Sequence, residues 1–277
     1  MSGSLNRVFS IARNTFLEAL RQKFINVLVI LAVALVLSSN FFRQFDFGSS
    51  ELKFITDFGL GSILFFGSIL AIISTAQLFF SEIENRTALT ILAKPLYRSE
   101  FVIGKFLGIL AMLGVFTMLM VGLLAAMLFW RESALMDRYP TSFEEGRIVS
   151  YSGLLLYGVV ELLRFGIIAG FTLFIASFSN TNLYTVIVSF FVFVICQLQY
   201  VARDGWSDIS NTFLKGIVWV LALLFPNFQL FNVAELLIFP SEESLSAGSA
   251  LGIVGYGVVY IIAFNVLAFV SFRSREI

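Results

Sequence analysis

Long apolar runs separated by short polar stretches dominate the chain. Residues 24–42, 58–80, 101–129, 151–178, 183–201 and 247–272 are almost wholly apolar. At a rise of about 1.5 Å per residue, each run is the length of helix needed to cross a hydrocarbon layer roughly 30 Å thick. Strands of a barrel would alternate polar and apolar residues, and these runs do not. The pattern predicts six membrane-spanning helices. Ahead of the first, Leu5, Val8, Phe9, Ala12, Phe16 and Leu20 recur mainly at helical spacing, while Asn6, Arg7, Ser10, Arg13, Asn14 and Arg21 lie mainly on the other side. Residues 1–23 therefore read as a basic amphipathic helix suited to the membrane interface. The competing reading is a solvent-facing start to the first span, which itself reads as uncleaved because no small-residue cleavage site is visible in it.

One stretch departs from simple crossings. Residues 213–225 are apolar but too short to span, Pro226 and Asn227 interrupt them, and a second short apolar piece follows over 228–240. Segments of this length are more often re-entrant than spanning, and irregular backbone at membrane depth needs protein around it. The stretch is expected to form a hairpin entering from the outer face, with a seventh crossing as the alternative. The fold expected is an all-α integral membrane protein: a single membrane domain over 1–277 with an amphipathic interfacial helix, a cytoplasmic loop at 81–100 and a re-entrant segment at 213–240.

Composition sharpens this picture. Apolar residues make up 58% of 277 positions and charged residues 13%, with mean hydropathy +0.92, too little polar surface to cover a soluble globule. The chain has no histidine, and its one cysteine, Cys196, lies within an apolar run. That excludes histidine acid/base chemistry, disulfides within the chain and a Cys/His metal cluster. Nothing in the charge pattern points to nucleic acid. With six crossings, ten basic residues fall on the side of the termini, and seven fall opposite among twelve acids. The positive-inside rule puts both termini in the cytoplasm of a plasma membrane, here read as a bacterial inner membrane. Trp130, Tyr139, Tyr151, Tyr200 and Trp206 sit near the opposite boundary, as an aromatic belt would.

Between the second and third runs lies a charged island from Glu82 to Lys105. Glu82, Glu84 and Arg86 carry the chain clear of the membrane, Thr87 is placed to cap a short helix, and Leu89, Ile91 and Leu92 form its apolar side before Lys94 and Pro95 end it. So short a helix needs something to pack against. Arg98, Ser99 and Glu100 then lead into the third span.

These residues resemble the transmembrane subunits of ABC-2-type ABC transporters, including the permeases grouped with copper-enzyme maturation. Their pattern of Glu-x-Glu, Gly-Thr-Leu, a Leu-rich turn, Pro, Arg and Gly-Lys is met by Glu82, Glu84, Thr87, Leu92, Pro95, Arg98, Gly104 and Lys105. Arg86 stands where the family has Gly and Ala88 where it has Leu, so this turn is open to a different shape. The basic N-terminal helix, the six-span order and the broken segment around Leu224–Asn227 extend the resemblance along most of the chain.

The resemblance implies that the island is a coupling helix seated in a groove of a separate ABC ATPase, with Glu82, Glu84, Arg86, Thr87, Leu89, Leu92, Pro95 and Arg98 at the contact. It implies an exporter whose pathway forms between two copies, or between this chain and a related permease. Membrane lipids surround it, and an extracytoplasmic accessory protein is admitted as a further partner. A P-loop needs G-x-x-x-x-G-K-[ST], whereas here Ser99 takes the first glycine position and Phe106 the final hydroxyl. No catalytic residue, metal ligand or cofactor is therefore expected in this chain, and ATP and magnesium belong to the partner.

Within the fourth run, Glu161 and Arg164 are spaced to meet on one helix face, where an ionisable pair either locks helices or borders a polar path. Gly104 with Gly108, Gly166 with Gly170, and Gly252, Gly255 and Gly257 are spaced for close helix packing, a common pattern in membrane spans. Two other functions remain open: a transporter or channel driven by an ion gradient, which predicts more midplane charges and repeated halves, and a membrane scaffold or embedded enzyme.

Overall fold

The computed structural model describes residues 2–39, 51–84, 98–143, 146–204, 212–239 and 246–274. All regular structure among them is helical. Helix α1 (Ser2–Arg21) is followed by α2 (Lys23–Ser38). The two meet at 67°, because Gln22 adopts an extended backbone, φ −75° and ψ 118°, that no helix continues through. The long helices α3 (Glu51–Glu84) and α4 (Arg98–Arg138) come next. After a short 3₁₀ turn at Pro140–Phe143 come α5 (Tyr151–Phe178) and α6 (Asn182–Asp204). The chain then breaks into α7 (Thr212–Leu224), a 3₁₀ turn (Phe228–Phe231) and the five-residue α8 (Ala234–Ile238). It closes with α9 (Ala247–Ser274).

Five of these helices are long and apolar enough to cross a membrane, and α1 with α2 makes a bent sixth candidate. The protein is an all-α integral membrane protein. Two spans outrun their apolar cores. Helices α3 and α4 continue well beyond residues 58–80 and 101–129, since neither extension contains a proline and charged side chains pair beside the added turns. Arg131 on α4 grips Glu51 on α3 through two hydrogen bonds of 2.6 and 2.8 Å, a geometry that favours guanidinium over ammonium.

Helix α5 is the hub, touching α3, α4, α6, α8 and α9. It starts where the Ser150 side chain accepts the Gly153 amide at 3.2 Å, satisfying a donor that the first turn leaves free. Small residues admit its neighbours. A side chain on Gly67 of α3 would collide with the ring of Phe165, and one on Gly166 would press on Ile261 of α9. In lipid such contacts matter more than burial, because acyl chains are as apolar as leucine. At the end carrying α1 and the last described turn of α9, the buried rings of Phe79, Phe101 and Phe272 meet stacked, tilted or edge to face at centroid distances of 5.6 to 6.3 Å. Each such pair contributes about 0.5–1.5 kcal/mol beyond burial. Cys196 is fully buried.

Candidate functional site

Arg98 opens α4, and its guanidinium donates to the carbonyl oxygens of Phe272 (3.1 Å) and Arg273 at the end of α9. Those carbonyls have no partner among the described residues of their own helix, and a cation there also meets the negative end of the helix dipole. Arg98, near the end of the island, is thus clasped to the last described turn of α9. Glu82 and Glu84 belong to the final turn of α3, although their side chains are not among the described residues. Arg86, Thr87, Leu89, Leu92 and Pro95 lie outside the described residues altogether.

The first turns of α4 hold α1 in place. Buried Glu100 accepts from Ser4 at 2.6 Å and from Arg7 Nε and Nη2 at 2.9 and 2.8 Å. Below it, a side chain on Gly104 would fall 2.7 Å from Ile11, and one on Gly108 would fall 2.6 Å from the Ala12 carbonyl oxygen. Only glycine lets the two backbones come this close. Lys105, fully buried, donates to the Leu78 carbonyl of α3 at 2.7 Å and lies 3.8 Å from Glu18, which also accepts from Ser81. The Gly-Lys pair therefore joins α1, α3 and α4 into one unit. Sequence reasoning carried Gly104 and Lys105 only as motif positions and missed Arg7, Glu18 and Glu100. The available signal was a lysine inside an apolar run, which requires a partner.

At the far end, buried Glu132 of α4 accepts from the amides of Ile148 and Val149, from Tyr151 Oη and from Arg147. Four donors hold its carboxylate and pin the loop before α5. Next to them the Ser150 amide donates to the Ile238 carbonyl at 2.8 Å. Gly153 faces the end of α8 so closely that an added Cβ would lie 1.7 Å from the Leu237 carbonyl oxygen.

The pair inside α5 sits between these ends. Glu161 and Arg164, both nearly inaccessible, meet at 2.9 Å, and Tyr157 donates to the same carboxylate oxygen at 2.7 Å. Arg164 also donates to the Phe228 carbonyl at 2.6 Å. That carbonyl belongs to the broken segment, whose freed backbone groups are served by several helices. Gln199 of α6 donates to the Phe225 carbonyl at 2.9 Å, Tyr260 of α9 donates to the Leu223 carbonyl at 3.0 Å, and Tyr256 Oη accepts the Asn227 amide at 2.8 Å. Side chains do here what water does outside a membrane. Of the last-span glycines, Gly257 packs against Leu163 and Phe231, whereas Gly252 and Gly255 meet nothing.

A cavity of about 190 Å³ opens beside the pair, lined by Asp57 and Gly61 of α3, Tyr157 and Arg164 of α5, Gln197 of α6, and Gln229 and Asn232 of the broken segment. Asp57, Gln197, Gln229 and Asn232 carried no signal in the sequence, where 175 positions separate the first from the last. Along α3 and α6 beyond the cavity runs a purely apolar groove of about 330 Å³, lined by Ile69, Ile72, Ile73, Val186, Ile187, Phe190 and Phe191.

No curated protein sequence matches the chain. The profile of the ABC-2 family transporter proteins matches residues 9–277. That profile describes the family at large and makes no assignment to the permeases grouped with copper-enzyme maturation. Members of the family work in general with an ABC ATPase. With nearly its whole length matched and its long apolar helices built as a membrane bundle, the chain belongs to the ABC-2 family transporter proteins and is the membrane subunit of an ABC transporter.

Proposed function

We propose that the chain forms an export pathway as a dimer, with itself or with a related permease, and that a separate ATPase subunit drives it through the island from Glu82 to Lys105. ATP and magnesium act in that subunit. The termini and the island lie in the cytoplasm of a bacterial inner membrane, as the bias of basic residues indicates. Helix α1 lies along the cytoplasmic interface, and the segment at 213–240 enters from the outer face. The direction of transport rests on the resemblance to exporting permeases, and an accessory protein on the outer face remains compatible.

The observation that carries this reading is the clasp of Arg98 on the last carbonyls of α9. A push on the island reaches α9 directly. Helix α9 in turn holds the broken segment through Tyr256 and Tyr260, and packs on the helix that carries Glu161 and Arg164. Closure of two ATPase subunits around ATP then favours one arrangement of the bundle because that arrangement binds the closed motor more tightly. Glu161 and Arg164 border the path, and Arg164 holds the broken segment.

The test is co-purification with the separately encoded ATPase, followed by ATP hydrolysis in liposomes. Leu92→Asp combined with Pro95→Ala is expected to abolish assembly and stimulated hydrolysis. Unchanged assembly and hydrolysis would remove the coupling assignment, and transport without any ATPase would favour an ion-gradient mechanism.

A further inference from the structure

We propose that the polar cavity beside Arg164 and the apolar groove between α3 and α6 form one binding site for an aminophospholipid-like amphiphile, its ammonium-bearing head in the cavity and its acyl chain in the groove. This rests on the reading that the Glu161–Arg164 pair borders the transport path, and it names the class of substrate.

The cavity calls for a polar head. Arg164 Nε and Gln197 Oε1, on two residues that line the cavity, are buried and have no hydrogen-bond partner among the described residues. One is a donor and the other an acceptor, so the complementary group brings both a lone pair and an N–H or O–H. Charge points the same way. Asp57 lines the cavity and makes no hydrogen bond or salt bridge with a described residue, whereas neighbouring Lys53 is paired with Glu235. Glu161 already neutralises Arg164 at 2.9 Å. Asp57 is left as the excess negative charge, which attracts an ammonium and repels an anion. An ammonium donating to Asp57 and Gln197, with an ester or phosphate oxygen accepting from Arg164 Nε, meets these demands together. The volume, about 190 Å³, lies below that of pockets for whole drug-sized ligands and suits a head alone.

The groove supplies the rest. Its lining offers no polar surface, and it follows the same two helices. On α3 the cavity ends at Leu64 and the groove begins at Ile69, about 7.5 Å further along the axis. On α6 the order is antiparallel, with Gln197 at the cavity and Val186–Phe191 along the groove. Head site and chain site therefore lie at successive levels along the same two helices, in the order of an amphiphile.

The experiment uses the purified full chain without ATPase and reads ligand binding by native mass spectrometry and thermal stabilisation. The probes are lysophosphatidylethanolamine, its N-acetylated form, lysophosphatidylglycerol and free ethanolamine. Lysophosphatidylethanolamine is expected to bind at least about tenfold more tightly than each of the other three. Asp57→Asn should weaken it by a similar factor. Gly61→Val should weaken it too, since a Cβ at Gly61 meets nothing within 4 Å and projects into open space without disturbing the fold. Ile187→Trp, filling the groove, should act likewise.

Equal binding of the glycerol lipid overturns the head assignment. Equal binding of free ethanolamine identifies a soluble amine and overturns the amphiphile. If Ile187→Trp changes the oligomeric state and leaves lipid binding intact, the groove seats a second copy and the proposal fails. These results are obtained without a motor, so they leave the coupling test independent. The ligand series on the unaltered chain decides the outcome even if a variant does not fold.

Discussion

Removing one member of the Glu161–Arg164 pair should destabilise the bundle far more than removing both. At 2.9 Å and an effective dielectric constant of about 20, the attraction is roughly 6 kcal/mol. Taking each ion out of water costs several kcal/mol, so the intact pair contributes little net stability. Arg164→Met leaves the Glu161 carboxylate with Tyr157 as its remaining donor and frees the Phe228 carbonyl. Glu161→Gln leaves a buried guanidinium without its counter-charge. Each single change is expected to cost about 3–5 kcal/mol. The double variant keeps only the loss at Phe228, about 1–3 kcal/mol, which implies a coupling energy above roughly 3 kcal/mol. Reversible unfolding in detergent, followed by circular dichroism, measures all four corners of the cycle. Additivity within about 0.5 kcal/mol would refute the pair as drawn. The double variant also separates two roles: folded protein that still transports marks a lock between helices, and folded protein that does not marks a lining of the path.

Three further outcomes follow from close contacts. Gly153→Ala places a carbon against the Leu237 carbonyl, so it should lower stability by about 1–3 kcal/mol or more and loosen α8, seen as faster amide exchange at Ile238. Gly104→Leu should prevent α1 from seating on α4, read as a protease-sensitive N-terminus in membranes; protection equal to the unaltered chain would contradict the packing. Arg98→Ala should cost only about 1–2 kcal/mol yet reduce substrate-stimulated ATP hydrolysis several-fold, and undiminished stimulation would show that the clasp on α9 transmits nothing.

The spans were legible because their signal is length and hydropathy, both local. Helix ends were not, since α3 and α4 are extended by pairs such as Arg131 with Glu51 that join residues 80 apart in the chain. Helix α1 was legible as amphipathic, but its apolar positions divide between two surroundings. Val8 and Ala12, with Ile11, Thr15 and Ala19, turn toward protein, while Leu5, Phe9 and Leu20 are exposed. Periodicity marks an apolar side and does not say whether lipid or another helix covers it. The spacing of Glu161 and Arg164 announced their encounter, three residues apart on one helix. The hold of Arg164 on Phe228 arises only when the chain returns 64 residues later. The cavity is a product of packing throughout, since its polar residues come from four separate stretches of chain.

The grip of Glu100 on Arg7 also sets an order of events during synthesis. The two residues are 93 positions apart, and Gly104 and Gly108 lie later still. At about 5–20 residues per second, the ribosome finishes the cradle for α1 roughly 5–20 s after α1 itself has emerged. Through that interval its exposed Leu5, Phe9 and Leu20, the span that follows it and the Ser81 hydroxyl on Glu18 keep it at the bilayer. Helix α1 thus waits for the third span to fasten it, and a fault in α4 would be felt by a helix made long before it.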